Sequence, residues 1–462
     1  MKTLEQTEPR IPVAFVTFLG SPGSYYLTQN LTNTVTIGAN NVTLDLMGFS
    51  IDAASGPGIR LNHAGIKGTC VRNGSISAPQ GNGIDFSVSV SNANGRIENL
   101  RISRCSTSGI VVGSGFSVRN VTVQGAGFAA IKIIGDSRIS GCTLTGSAIG
   151  IRTSGSGALI ENNRVFGNVD NYNFSAGNQL HLLLCEIPEI LDRPCSVKLA
   201  GTLTMTNPHK HGITVDSSDV TIDLCGHALV GIGTSGDNQT DGIHQSAAYR
   251  NLRIFNGTIR NWKAWEGCGA RAMGKNGRID NLRIENCSDG ISVASGYVVS
   301  DCSVCDNRYG LLFGSDCVLR HCTANENDLV GILVYSNSLV SACTANHNGT
   351  IGIYMGESGS VLDCCASCNQ YEGIRVGGDS LIRGNECSGN GTSGILVQSH
   401  DCRIQDNNCT DNGYGIKVDE NGNFIVKNTA SGNSTNYLMN AGSHYRISTS
   451  LTGADAWDNF EF

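Results

Sequence analysis

His321-Cys-Thr-Ala-Asn325-Glu-Asn327 and, one period further on, Ala342-Cys-Thr-Ala-Asn346-His-Asn348 are two copies of one short phrase. Each is followed by a glycine and an isoleucine, Gly331-Ile and Gly352-Ile. Those glycines belong to a longer series: Gly290, Gly310, Gly331, Gly352, Gly373, Gly394 and Gly415, each followed by Ile or Leu. The first step is twenty positions long and every later one is twenty-one. A constant period of this size denotes stacked, repeated supersecondary units in place of one globular core. A cysteine recurs six to nine positions before each glycine from Gly310 on: Cys302, Cys322, Cys343, Cys364, Cys387 and Cys409.

Short apolar runs such as Cys317-Val-Leu, Ser338-Leu-Val and Leu381-Ile precede the cysteine phrases. Each period therefore holds two or three short strands, separated by Gly, Asn, Asp and Ser turns, and no stretch keeps a helical period. Strands this short cannot bury a face alone. They must pair in parallel with the coils above and below, at about 4.8 Å per layer. The expected fold is all-β, a parallel β-helix in which equivalent Cys, Asn and Ile residues form ladders. The cysteines act as small buried fillers, and the asparagines satisfy backbone groups that the turns leave unpaired.

The first half repeats the grammar more loosely, with Gly58-Ile, Gly83-Ile, Gly109-Ile and Gly150-Ile. It is also a copy of part of the second. Asn41-Val-Thr-Leu-Asp-Leu-Met-Gly matches Asp219-Val-Thr-Ile-Asp-Leu-Cys-Gly, and Arg72-Asn-Gly-Ser-Ile matches Phe255-Asn-Gly-Thr-Ile. Asn94-Gly-Arg-Ile-Glu-Asn-Leu-Arg-Ile matches Asn276-Gly-Arg-Ile-Asp-Asn-Leu-Arg-Ile. A tandem duplication follows, with a first module over residues 1–172 and a second, longer one over 173–462 that ends in a cap.

Composition agrees. The 462 residues include 59 Gly but only 8 Pro, and charged residues are 15% against about a quarter in ordinary domains. A net charge of −7 with scattered Lys and Arg gives no basic stripe, which argues against nucleic acid as a partner. The N-terminal stretch reads neither as a secretory signal nor as a membrane span.

The Gly23-Ser-Tyr-Tyr-Leu27 opening, the Val-Thr-Leu-Asp-Leu-x-Gly strand, the Asn-Gly-Ser/Thr-Ile coil and the closing Ala454-Asp-Ala-Trp-Asp-Asn-Phe460 carry a resemblance. They resemble the bacterial right-handed parallel β-helix repeat proteins of the pectate-lyase-like superfamily, described as carbohydrate-binding and sugar-hydrolase-type repeats and including copper-protein maturation factors of the NosD kind. The resemblance implies a right-handed helix and a polysaccharide- or glycan-facing protein that is extracellular or on a cell or virion surface.

A lyase or epimerase on such a scaffold needs a base and a cation beside a uronate carboxylate, and a hydrolase needs two spaced carboxyl groups. The stretch that diverges most between the copies, 237–275, offers both. Asp237, Asp241, His244, Lys263, Glu266 and Arg271 are the catalytic candidates, with Arg260, Trp262 and Trp265 as substrate-binding residues, the tryptophans as platforms for sugar rings. The competing reading is a solvated turn whose tryptophans cover the joint between modules. His209, His211, His227 and His244 crowd the same region without the fixed spacing of a metal motif, so no metal ligand is assigned. The sequence demands no cofactor, and calcium is the ion left open, although the calcium-binding aspartates and catalytic arginine of pectate lyases match no motif here. The competing functions are a non-catalytic structural or adhesive surface component and a periplasmic metal-handling protein.

Overall fold

The computed structural model describes residues 10–15, 17–88, 93–233, 240–263, 266–450 and 452–462. Every regular element among them is a β-strand, and most are very short. The chain forms two compact units. The first runs to Cys185 and takes back Cys195–Ala200, and the second holds Glu186–Pro194 and everything from Gly201 on.

In the first unit eight parallel strands line up as one sheet, from Phe18–Leu19 through Ile59–Leu61 and Ile110–Val112 to Asp170–Asn173. The second unit carries a twelve-stranded equivalent, from Glu189–Leu191 to Thr435–Leu438. There Ile332, Ile353, Ile374, Ile395 and Ile416 pair one with the next in parallel, the lengthwise alignment that the constant glycine period demands. Each strand alternates. In Ile353–Met355 the outer two residues are buried and Tyr354 between them points outward. Burying one such side chain yields about 1.5–3 kcal/mol, so strands too short to fold alone are held by the apolar columns they share.

The glycine series has a steric cause. A Cβ on Gly352 would lie 2.6 Å from the Gly373 carbonyl oxygen, and one on Gly373 would lie 2.7 Å from that of Gly394. Any side chain here strikes the backbone of the next coil. Turns are made by left-handed residues, chiefly Asn and Asp, such as Asn276, Asp316, Asn337 and Asp379, the types that tolerate that region best after glycine.

Inside the turns, Asn307, Asn327, Asn348, Asn369, Asn390, Asn412 and Asn433 form a continuous ladder. Each side-chain oxygen accepts from the backbone N–H of the rung before it, at 2.8–3.2 Å. The cysteines do not form the single ladder expected from their spacing. Cys302, Cys322, Cys343 and Cys364 occupy one buried turn column, each thiol bonded to the carbonyl two positions earlier. In the next coils Asn385, Asn407 and Asn428 take over the work of that column. Cys387 and Cys409 lie elsewhere, paired with each other on inward strand positions. Spacing alone missed this because the later coils shift cysteine from turn to strand while keeping the glycine register.

Both units use the duplicated motifs in the same way. Asn73 and Asn256 are left-handed and donate to Asp45 and Asp223, whose carboxylates also accept from the backbone of left-handed Met47 and Cys225. At the C-terminal end, Asn459–Glu461 pairs with Thr429–Ser431, and Asn459 accepts from Asn428 as a last rung.

Candidate active site

The glycine column fixes where polar side chains emerge from the second unit's twelve-stranded sheet. The residue before each glycine and the residue two after it make two flanking columns. The first reads His211, Asp241, Cys268, Asp289 and Tyr309, and the second reads Thr214, His244, Arg271, Ser292 and Leu312. The pairings Thr214 with His244, His244 with Arg271 and Arg271 with Ser292 set the second column, and Cys268 with Asp289 extends the first. Parallel stacking thus gathers side chains from successive coils into one cluster.

Asp241 is its centre and is fully buried. A buried carboxylate is tolerated only when paired, and both oxygens of Asp241 are. Oδ1 accepts from the Cys268 backbone N–H at 2.7 Å and Arg271 Nε at 3.3 Å, and Oδ2 accepts from Arg271 Nε at 3.1 Å. His244 Nδ1 lies 2.7 Å from Oδ2. The acceptor-only carboxylate assigns the proton to Nδ1, leaving the Nε2 lone pair of His244 free. His211 is the mirror case. Its Nδ1 accepts the Asp241 backbone N–H at 3.0 Å, so in the neutral ring the proton sits on Nε2. Burial, then the neighbouring His244, pushes the His211 pKa below its usual value. The two rings stack at 4.1 Å and 14°, presenting one acceptor and one donor side by side.

Arg271 spans the cluster. Beyond Asp241 it reaches the Glu266 carbonyl, and its Nη2 stands 3.8 Å from Asp289 Oδ2. Burial pushes the Asp289 carboxyl pKa up, against the pull of Arg271 and Arg308, and its Oδ1 has no hydrogen-bond partner. Arg308 stacks over the Tyr309 ring at 5.1 Å, and its Nε is likewise unpartnered.

Of the residues singled out in the sequence, Asp241, His244 and Arg271 converge, and Glu266 joins through its backbone while its side chain is exposed. Arg260 and Lys263 line a separate cleft of about 450 Å³ with Glu285, Asp306, Glu326 and Asp328. Trp262 is not a sugar platform. It is 3% exposed, and its indole fills the space left open by Gly212, Gly231 and Gly242, where an added Cβ would lie about 3 Å from the ring. Three glycines admit the ring into the core, which reading the divergent stretch by itself could not show. Asp237 and Trp265 lie outside the described residues. His209 is exposed and His227 sits in a turn before Ala228–Val230, neither among the clustered ligand atoms. His211 entered only as one of four crowded histidines with no role assigned, and Asp289 and Arg308 were not singled out. The signal for the first two was present: each stands immediately before a glycine of the column.

His211, Asp241 and His244 bring ligand atoms within 4.8 Å of one another, but the arrangement suits proton transfer better than a metal. Both Asp241 oxygens and His211 Nδ1 are already engaged. The remaining Nε2 positions lie on nearly parallel rings 4.1 Å apart, whereas a shared ion at about 2.1 Å must lie in the plane of each ring. Calcium, which takes six to eight oxygens, finds one carboxylate here. A second group, Asp379, His400 and Asp401, is wholly exposed.

Stacked parallel coils with an inward Asn ladder and a polar cluster on one outer sheet define a β-solenoid with a surface site. Residues 198–341 and 336–452 match the family described as a right handed beta helix region. The two segments cover more than half of the 462 residues, and the chain belongs to that family. Among solved structures it is similar to the A-module of the mannuronan C-5 epimerase AlgE4 of Azotobacter vinelandii (13% identity, 76% of this chain and 89% of that one, TM-score 0.31). It is also similar to the periplasmic alginate epimerase AlgG (11%, 69% and 78%, 0.29) and to the pectate lyase Pel9A (12%, 63% and 70%, 0.29). No curated protein sequence matches the chain. Among the described residues, no helix is long and apolar enough to cross a membrane.

Proposed function

We propose that this protein processes an acidic polysaccharide on the outer face of the second unit's sheet, with the Asp241–His244 pair as the proton-abstracting centre. The observation that supports this is the 2.7 Å contact between a fully buried carboxylate and His244 Nδ1. It fixes the imidazole and leaves Nε2 to act as a general base. Arg271, paired with His244 in the next coil, supplies positive charge for the anion that forms when a ring proton next to a uronate carboxylate is removed. The resemblance of the coil motifs to the pectate-lyase-like superfamily supports a polysaccharide as substrate, and Arg271 supports an acidic one. Such glycans lie outside cells or on cell and virion surfaces, and the proposal places the protein there.

The test is incubation with a panel of acidic and neutral polysaccharides, reading ultraviolet absorbance of unsaturated ends, new reducing ends, and deuterium taken from solvent into the sugar ring. Turnover that vanishes in His244→Ala supports the reading, and silence of the wild type on every polymer ends it. A second reading, a non-catalytic binding or structural rod, is favoured by the burial of Trp262, which removes an aromatic platform from the site. Retention on a glycan array without turnover, or self-assembly without retention, selects that reading. Metal found after purification and lost in His211→Ala selects the metal-handling role.

A further inference from the structure

We propose that Asp289 is the proton donor of this site, facing the Asp241–His244 pair from the other side of Arg271. The inference rests on the function proposed above and adds the group that completes the reaction.

Placement is the first argument. Asp289 stands in the column of Asp241 two coils further on, immediately before Gly290, with Cys268 between them. Stacked strands lie about 4.8 Å apart, so the two carboxyl-bearing positions are separated by roughly 10 Å along the stack. Arg271 lies in the coil between them, so a sugar carboxylate set over its guanidinium has His244 in the coil before and Asp289 in the coil after.

The second argument is an oxygen without a partner. Asp289 is 7% exposed and its Oδ1 makes no hydrogen bond. Buried polar atoms are nearly always satisfied, and this exception leaves the carboxyl without the hydrogen bond that would tie up its proton. Arg308, whose Nε is also unpartnered, acts on Asp289 electrostatically and stands over the Tyr309 ring at 5.1 Å.

The third argument is the division of labour across Arg271. Its Nε holds Asp241 at 3.1 Å, and its Nη2 stands 3.8 Å from Asp289. Asp241 is bound to the cation through both oxygens, whereas Asp289 is held loosely and by burial. Asp241 is thereby committed to holding His244 and Arg271, and Asp289 is left uncommitted. Burial pushes the Asp289 pKa up, the direction a proton donor needs.

The chemistry closes without a further reagent. His244 Nε2 takes the proton from the ring carbon next to the uronate carboxylate, and the electron pair of that C–H bond passes into the carboxylate beside Arg271 and Arg308. Asp289 then gives its proton to the opposite face of the same carbon, inverting it. Alternatively it protonates the glycosidic oxygen as the neighbouring C–O bond breaks and a C=C bond forms. One proton is gained by His244, one is lost by Asp289, and solvent restores both.

The experiment compares wild type, Asp289→Asn and His244→Ala on polymannuronate and polygalacturonate in deuterated water. Two quantities are read: product formed, and deuterium in recovered substrate. The expected result is a loss of product of about 100-fold or more in Asp289→Asn with deuterium exchange retained, because proton abstraction survives while donation does not. His244→Ala loses both. A role limited to holding Arg271 would lower the two readouts together, and that pattern overturns the assignment. Product formation by Asp289→Asn at the wild-type rate overturns it as well while sparing the function proposed above. If the wild type yields neither product nor exchange on either polymer, that function falls and the donor with it.

Discussion

Replacing Asn369 by alanine tests whether the asparagine ladder holds the coils together or merely occupies their turns. The Asn369 side chain donates to the Ala345 carbonyl at 2.9 Å and to Asn390 Oδ1 at 3.0 Å, and accepts from Asn348 N and Nδ2 at 3.0 Å each. The residue is 2% exposed. Alanine leaves Asn348 Nδ2 its other acceptor, Ala324 O, but strands two backbone groups, the Asn348 N–H and the Ala345 carbonyl, away from water. Each costs about 1–3 kcal/mol, so the substitution removes roughly 4 kcal/mol. Because each coil touches only its neighbours, the loss is local. Hydrogen exchange across residues 324–390 reads it directly, with a urea titration for the whole chain. Tyr335→Ala, at a site 59% exposed, is the control expected to stay within about 0.5 kcal/mol. A change of less than about 1 kcal/mol with unaltered protection would refute the reasoning, since the stranded groups would then have found other partners.

Gly352→Ala, whose Cβ meets the Gly373 carbonyl oxygen at 2.6 Å, forces two coils apart and is expected to cost about 1–3 kcal/mol in a thermal melt. An unchanged melting temperature would remove the steric account of the glycine column. Trp262→Ala, emptying a buried site, is expected to destabilise by about 3–5 kcal/mol and to leave glycan retention per folded molecule intact; selective loss of retention would restore the indole to the surface. Stability should also depend on His211. Its pKa is held below the usual 6.5 in the folded state, so the unfolded chain binds the extra proton first and stability is lost as pH falls below about 6.5. His211→Gln should flatten that limb of a pH–melting profile, and an identical profile would contradict the assignment. Asp289 has the opposite sign: its raised pKa means stability falls as pH rises above about 3.8, and Asp289→Asn should melt higher than wild type at neutral pH and above.

The fold was legible because a solenoid repeats its physics. The step from Gly331 to Gly352 in the sequence is the step from one coil to the next in space, so every later glycine tested the same reading. The site was only half legible. Asp241 and His244 stood out because the first copy has Pro57 and Arg60 in their places, and Arg271 because it falls in the same divergent stretch. His211 lies one coil before Asp241 and Asp289 two coils after it, and their places beside Asp241 appear only once the columns are drawn beside the glycines. Trp262 went wrong for a related reason. Its environment is made by Gly212, Gly231 and Gly242, three coil positions that no local window contains.

The fixed register of the second unit also makes its length negotiable. Excising residues 343–363 would bring Cys364 onto Cys322 and Asn369 onto Asn327, so the cut ends would meet in phase and every vertical file would stay unbroken. The stack would be shorter by one storey of about 4.8 Å, with nothing altered between His211 and Arg308. Ending the cut one position earlier would set Glu372 where only glycine fits. Insertion and loss of whole coils are therefore a graded way for such a chain to change the span it offers, while the chemistry at one end is left as it was.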